Sequence, residues 1–160
     1  MSEITIVSMN ADTFDEAKKM MERSFATTLE DLPKDSDTNG HDHDLPSIDG
    51  ILERPEETPL LFYMDGRMVG GAVLIINGDN NILTLLFVDP TCFDKGIGYR
   101  AWMEIEKRYP QTKTWTTETP TFLMKNVAFY VNKCGFHIIR VNDPKKDESM
   151  FVFQKTMTHD

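Results

Sequence analysis

Cysteine is scarce in this 160-residue chain: Cys92 and Cys134 are the only two, and they form no CxxC pair. A disulfide-built scaffold is therefore excluded. Long apolar runs are also missing. Stretches such as Ala72–Ile76 reach only five residues, far short of the ~20 that cross a bilayer as a helix. Positive charge is in deficit, with 17 Lys+Arg against 26 Asp+Glu and a net charge of −9. That balance argues against a nucleic-acid partner, which needs a basic face, and leans towards a cationic small molecule or peptide amine. Met1-Ser2-Glu3 leads directly into a strand-like segment with no basic n-region, so the expected location is cytoplasmic and reducing.

What remains is an ordinary globule, 40% apolar and 27% charged, read as a single domain over 1–160. Ile4, Ile6 and Met9 mark a first strand. Thr13-Phe14-Asp15-Glu16 has the form of a capping box, in which the threonine hydroxyl and the glutamate each satisfy a backbone N–H. Phe14, Ala17, Met21 and Phe25 then recur at helical spacing. Residues 30–50 are rich in Asp, Pro, Asn, Gly and His, and a connection of that length is functional or mobile. A short helix is expected within 47–54. Two strands, 60–64 and 68–76, meet at the hairpin signal Asp65-Gly66. The nearly continuous apolar run 82–88 predicts a strand buried on both faces. A helix over 96–108 and a strand over 113–117 follow. Thr119-Pro120 reads as the opening of a further helix, which runs to Cys134 and is closed by Gly135. Two strands, 136–141 and 150–155, complete a mixed α/β sheet.

The segment from Leu85 through Val88, Asp89, Pro90 and Phe93-Asp94-Lys95-Gly96-Ile97-Gly98-Tyr99 carries the most information. A buried strand enters a loop whose two glycines open a helix. Unpaired backbone N–H groups at the positive end of a helix dipole suit an anion such as a pyrophosphate. Taken alone, the same residues also describe an ordinary tight strand-to-helix turn. No third glycine stands at Rossmann spacing and no Gly-Lys-Ser/Thr ends the loop, which disfavours both of those nucleotide sites.

A second segment, Asn126-Val127-Ala128-Phe129-Tyr130 through Gly135-Phe136, adds specificity. With Val88-x-Pro90 and Gly96-x-Gly98, it resembles the GNAT superfamily of acyl-CoA-dependent N-acyltransferases. In that family a Gln/Arg-x-x-Gly-x-Gly/Ala turn follows a Val-x-Pro strand end, and an Asn precedes a Tyr and a closing Gly-Phe. The element order agrees along nearly the whole chain. This sequence departs from the family pattern at Phe93, where Gln or Arg is usual, and at Asp94, where glycine is usual.

The resemblance implies a GNAT-type mixed, mainly antiparallel sheet flanked by helices, with splayed central strands. It implies acetyl-CoA as co-substrate, held by Phe87, Val88, Lys95, Gly96, Ile97, Gly98, Tyr99, Asn126 and Phe129, largely through backbone groups. The implied partner is a small-molecule or peptide amine, with room for a homodimer. The implied reaction is direct acetyl transfer to a primary amine, which must first lose a proton. For a lysine-like amine at pH 7 the neutral form costs roughly 4.6 kcal/mol. The leaving thiolate needs a proton in return, and from a tyrosine that transfer is uphill by only about 2 kcal/mol.

Tyr130 matches the family's tyrosine beside the sulfur and is the candidate acid; the alternative is an amphipathic tyrosine covering its helix. Glu118 is the candidate base, with a charged neighbour of a helix start as the equal alternative. No carboxylate occurs on the 82–88 strand. His41 and His43, in His41-Asp42-His43-Asp44, are candidate acceptor contacts. A zinc site there is disfavoured, since alternating residues point in opposed directions and lack a third, distant ligand. Trp102 and Trp115 read as core. Met20, Met21 and Met124 read as core filling or an adaptable pocket lining. A CoA-binding sensor or interaction module without turnover is the other functional class.

Overall fold

A computed structural model describes residues 3–30, 46–142 and 149–157. One seven-stranded sheet has the order β1-β2-β3-β4-β5-β7-β6. Its strands are β1 (Thr5–Ser8), β2 (Thr58–Met64), β3 (Arg67–Ile75), β4 (Asn80–Val88), β5 (Thr114–Pro120), β6 (His137–Asn142) and β7 (Met150–Thr156). β4 and β5 run parallel, and every other described pair is antiparallel. The helices are α1 (Phe14–Glu30), α2 (Ile97–Arg108) and α3 (Met124–Ala128). The mixed, mainly antiparallel sheet expected from the sequence is the one observed.

Alternation along the strands separates two apolar layers. Leu60, Phe62, Leu74 and Leu83 face Ile97, Ala101, Trp102 and Ile105 of α2 together with Val127 and Tyr130. Leu61, Val73 and Phe87 point the other way and pack under Ala17, Met20 and Met21 of α1. Trp102 and Trp115 are core, their rings edge to face at 5.0 Å. Met20 and Met21 fill the core as expected. Met124 does not: it is 62% exposed at the start of α3.

Local signals carry unevenly into the structure. Asp65 (φ 53°) and Gly66 (φ 81°) form the hairpin turn between β2 and β3. Within 47–54 the helix is a single 3₁₀ turn, Ile51–Glu53. The capping box does not close. The Thr13 hydroxyl turns back to accept from the Asn10 N–H at 2.9 Å, so the polar turn before α1 takes the group that would have capped it. β4 is not buried on both faces: Ile82 and Thr84 are exposed, because α1 covers only the later half of the strand.

Thr119 and Pro120 do not open a helix. They extend β5, opposite Phe151 and Met150 of β7. A strand proline is tolerated where one side has no neighbour, and β5 has lost β4 by that point. α3 begins at Met124, and after Ala128 the chain continues through a π-helical turn, Phe129–Lys133. The Cys134 N–H there donates to the Phe129 carbonyl at 3.1 Å. Gly135 closes the segment at φ 84°, as the sequence indicates.

Candidate active site

The loop after β4 is built from its first residue. The Asp89 N–H donates to the Val69 carbonyl at 2.8 Å, and the Asp89 carboxylate accepts from the Thr91 N–H at 3.1 Å. A 3₁₀ turn, Pro90–Cys92, then leads to Asp94 (φ 64°) and Gly96 (φ 75°). Helix α2 starts immediately, and its first backbone bond runs from the Arg100 N–H to the Gly96 carbonyl at 3.1 Å. The amides of Ile97, Gly98 and Tyr99 precede that bond, so they have no partner within the helix.

The two glycines serve different ends. A side chain at Gly96 would touch nothing within 4 Å, so the left-handed backbone requires the glycine and the space beside it is open. At Gly98 an added Cβ would stand 3.3 Å from the Phe129 ring and 3.5 Å from Val88 Cγ2. Val88, Gly98 and Phe129 are thus brought together at the base of α2. The Phe87 side chain is on the other face, buried under α1, and only its backbone is available to a ligand at this corner. An open turn at a positive helix end, whose amides have no partner among the described residues, fits a pyrophosphate.

Beside this corner the sheet forks. β4 and β5 pair from Asn80↔Thr114 to Leu83↔Thr117 and no further. The cause lies in β4. Leu83 and Leu85 oppose the consecutive residues Leu74 and Val73 of β3, so Thr84 is an extra, bulged residue. A bulge bends its strand and raises the local twist, which turns the end of β4 away from β5. The Thr117 hydroxyl donates to the Leu83 carbonyl at 2.8 Å at the base of the fork. Past it, the β5-facing edge of Leu85–Val88 has no strand partner among the described residues.

Tyr130 reaches this base. Its ring is buried among Phe129, Phe136 and Phe153, with centroids 5.2–5.6 Å away, and its hydroxyl is hydrogen-bonded to the Thr117 side chain. Burial pushes the phenol well above its usual range. The nearby Cys134 thiol adds to the rise and the Thr117 bond works against it. Tyr130 is therefore a protonated donor across the physiological range. One turn earlier, Asn126 Nδ2 donates to Thr119 Oγ1 at 3.4 Å.

Glu118 stands apart from Tyr130. Adjacent strand residues project to opposite faces, and Glu118 is exposed on the face away from α3. Its Oε1 accepts from Asn142 Nδ2 at 3.4 Å, and Asn142 Oδ1 accepts from Arg140 Nε at 3.1 Å. Its neighbour is a strand asparagine, not a helix start, since α3 begins six residues later. His41 and His43 lie outside the described residues. Among the described residues no group of His, Cys, Asp and Glu could hold a metal ion, and no helix is long and apolar enough to cross a membrane. Thr84, Thr117 and Thr119 carry no mark in the sequence. Threonine in a strand is too common to signal a polar role, and a bulge leaves no trace in composition.

Comparison with known proteins agrees with this geometry. A sequence model of the acetyltransferase (GNAT) family matches residues 19–136. The uncharacterized protein YrkN of Bacillus subtilis (strain 168) is 39% identical over 129 residues, covering 78% of this chain and 68% of that protein. Among solved structures, an acetyltransferase from Thermus thermophilus superposes with a TM-score of 0.75 at 14% identity, over 97% of both chains. The PaiA N-acetyltransferase from Thermoplasma acidophilum, in complex with coenzyme A, gives 0.70 at 16% identity, over 97% of this chain and 99% of that one. With the fold, the forked strands and the glycine turn in place, the chain belongs to the GNAT acetyltransferase family.

Proposed function

We propose that this protein transfers the acetyl group of acetyl-CoA directly to a primary amine of a small molecule or peptide, in the cytoplasm. The observation that carries the reading is the open turn at Gly96, where the amides of Ile97, Gly98 and Tyr99 have no partner among the described residues, set beside a fork that starts at Leu83/Thr117. A relative of the same fold is a complex with coenzyme A.

The turn amides hold the pyrophosphate, and the unpaired edge of Leu85–Val88 offers backbone groups to the amides of the pantetheine arm. Val88 and Phe129 wall the passage between them. An amide from the same edge stabilises the thioester oxygen as charge develops on it. Tyr130 donates its phenolic proton to the departing sulfur. Its burial makes the proton costly to lose into water but leaves it available to a thiolate formed in the same dry site. Glu118, on the other face of the fork, attracts the cationic amine and accepts its proton directly or through water. His41 and His43 are assigned to the acceptor side.

The test is thiol release from acetyl-CoA with a panel of primary amines, alongside calorimetric binding of coenzyme A. Release that falls about a hundredfold or more in Tyr130→Phe, with binding retained, supports the transferase. A specific departure favours a second reading. Asp94 places a carboxylate on the turn, Phe93 replaces a polar residue, and β4 carries no acid. Coenzyme A binding with no release across the panel would make the protein a sensor or interaction module.

A further inference from the structure

The strand facing α3 carries an alternating pair of threonines, and the helix facing it carries an Asn and a Tyr four residues apart. The spacings match. Four residues of helix advance about 6 Å, and two residues of strand about 6.6 Å. Asn126 meets Thr119 and Tyr130 meets Thr117, so the helix descends the β5 arm as the strand rises. Thr117 and Thr119 are 2% and 3% exposed, and Tyr130 is 7% exposed, which shields these contacts from competing water.

The direction of the lower contact is decided by counting hydrogens. A threonine hydroxyl has one proton, and that of Thr117 goes to the Leu83 carbonyl at 2.8 Å. The Thr117 oxygen must then accept from Tyr130, giving the chain Tyr130 O–H to Thr117 O–H to Leu83 C=O. At rest the phenol proton points into the strand fork.

We propose that Thr117 is a positioning residue for Tyr130, storing the phenol proton in the resting site and donating to the phenolate oxygen once that proton has left. This rests on the transferase reading. As the thiolate departs, the Tyr130 O–H bond breaks and the S–H bond forms, so the negative charge moves from sulfur to the phenol oxygen. The Thr117 hydroxyl rotates from the Leu83 carbonyl to that oxygen. The ammonium proton of the newly acylated amine restores the tyrosine, and the hydroxyl rotates back. Protons and charge balance without a further reactant. Thr119 does for Asn126 the static part of this task, holding its amide at the mouth of the fork.

The experiment compares Thr117→Val with Thr117→Ser, using acetyl-CoA and the amine panel. Valine keeps the shape and removes both bonds, whereas serine keeps both. Expected is a fall in kcat of about ten- to a hundredfold for valine, with the KM for acetyl-CoA and calorimetric binding of coenzyme A little changed. Serine stays within about threefold of the parent. In Tyr130→Phe, adding Thr117→Val should lower kcat no further, because the two residues act as one unit. Should the valine variant fail to fold, Thr117→Cys, a weaker donor of similar size, takes its place. Valine and cysteine variants that keep full kcat overturn the proposal, as does a double variant whose loss is the product of the single losses. A parent protein that binds coenzyme A and releases no thiol with any amine removes the transferase reading and this proposal with it.

Discussion

Replacing Gly96 by alanine tests the turn on which the cofactor assignment depends. Gly96 has φ 75° and ψ 13°, in the left-handed region, where an L-residue with a Cβ costs roughly 1–2 kcal/mol. No atom lies within 4 Å of the position an added Cβ would take, so no steric clash is added to that cost. Gly→Ala also lowers the entropy of the unfolded chain, by less than the strain it introduces here. A net destabilisation of about 1 kcal/mol follows, equivalent to roughly 2–4 °C in Tm for a chain of this size. Gly96→Asn should lose less, because asparagine tolerates left-handed backbone, and Gly96→Val should lose more. Coenzyme A affinity should fall further than stability does, because relaxing φ towards negative values turns the amides of Ile97, Gly98 and Tyr99 off the phosphates. Thermal melts with and without coenzyme A and titration calorimetry give both quantities. Equal stability for the alanine and valine variants would refute the backbone argument, and unchanged affinity in a destabilised alanine variant would refute the cradle.

Other substitutions separate charge from shape. Asp94→Gly removes a carboxylate from the same turn and relieves its positive φ; coenzyme A should bind roughly three- to tenfold more tightly at low salt, with the gain shrinking as ionic strength rises. Glu106→Gln breaks the 2.6 Å pair with Lys155, whose side chains are 13% and 19% exposed, and should cost about 3 kcal/mol in denaturant unfolding. Cys134 is pushed up to about 12 by burial, against the pull of Lys155 and with a further rise from Glu106, so native protein should resist thiol reagents at pH 8. Its folded pKa exceeds the unfolded one, so its contribution to stability is complete below pH ~9 and is lost above it at about 1.4 kcal/mol per pH unit. Tyr130 adds a loss of the same sign above pH ~10, and the alkaline unfolding slope should flatten in Cys134→Ala and in Tyr130→Phe.

Backbone rules written into short stretches of sequence determined a large part of this protein. Asp65-Gly66 turns the hairpin because both residues tolerate positive φ, and the helical spacing of Ile97, Ala101, Trp102 and Ile105 buries one face of α2. Gly96-x-Gly98 opens that helix, and the element order specifies the mixed sheet. These features depend on a few neighbouring residues, so the sequence carries them openly. Tertiary structure decided the rest. Whether Pro120 began a helix or ended a strand depended on β7 pairing with it and β4 having left. Whether the Tyr130 hydroxyl met solvent or Thr117 depended on a π-helical turn and on a strand distant in sequence. The fork depended on the register of β4 against β3, which leaves Thr84 as an extra residue and turns the end of β4 away from β5. Each outcome is set by contacts between segments far apart along the chain, where the partner that wins a hydrogen bond or a buried face is chosen by packing, not by local preference.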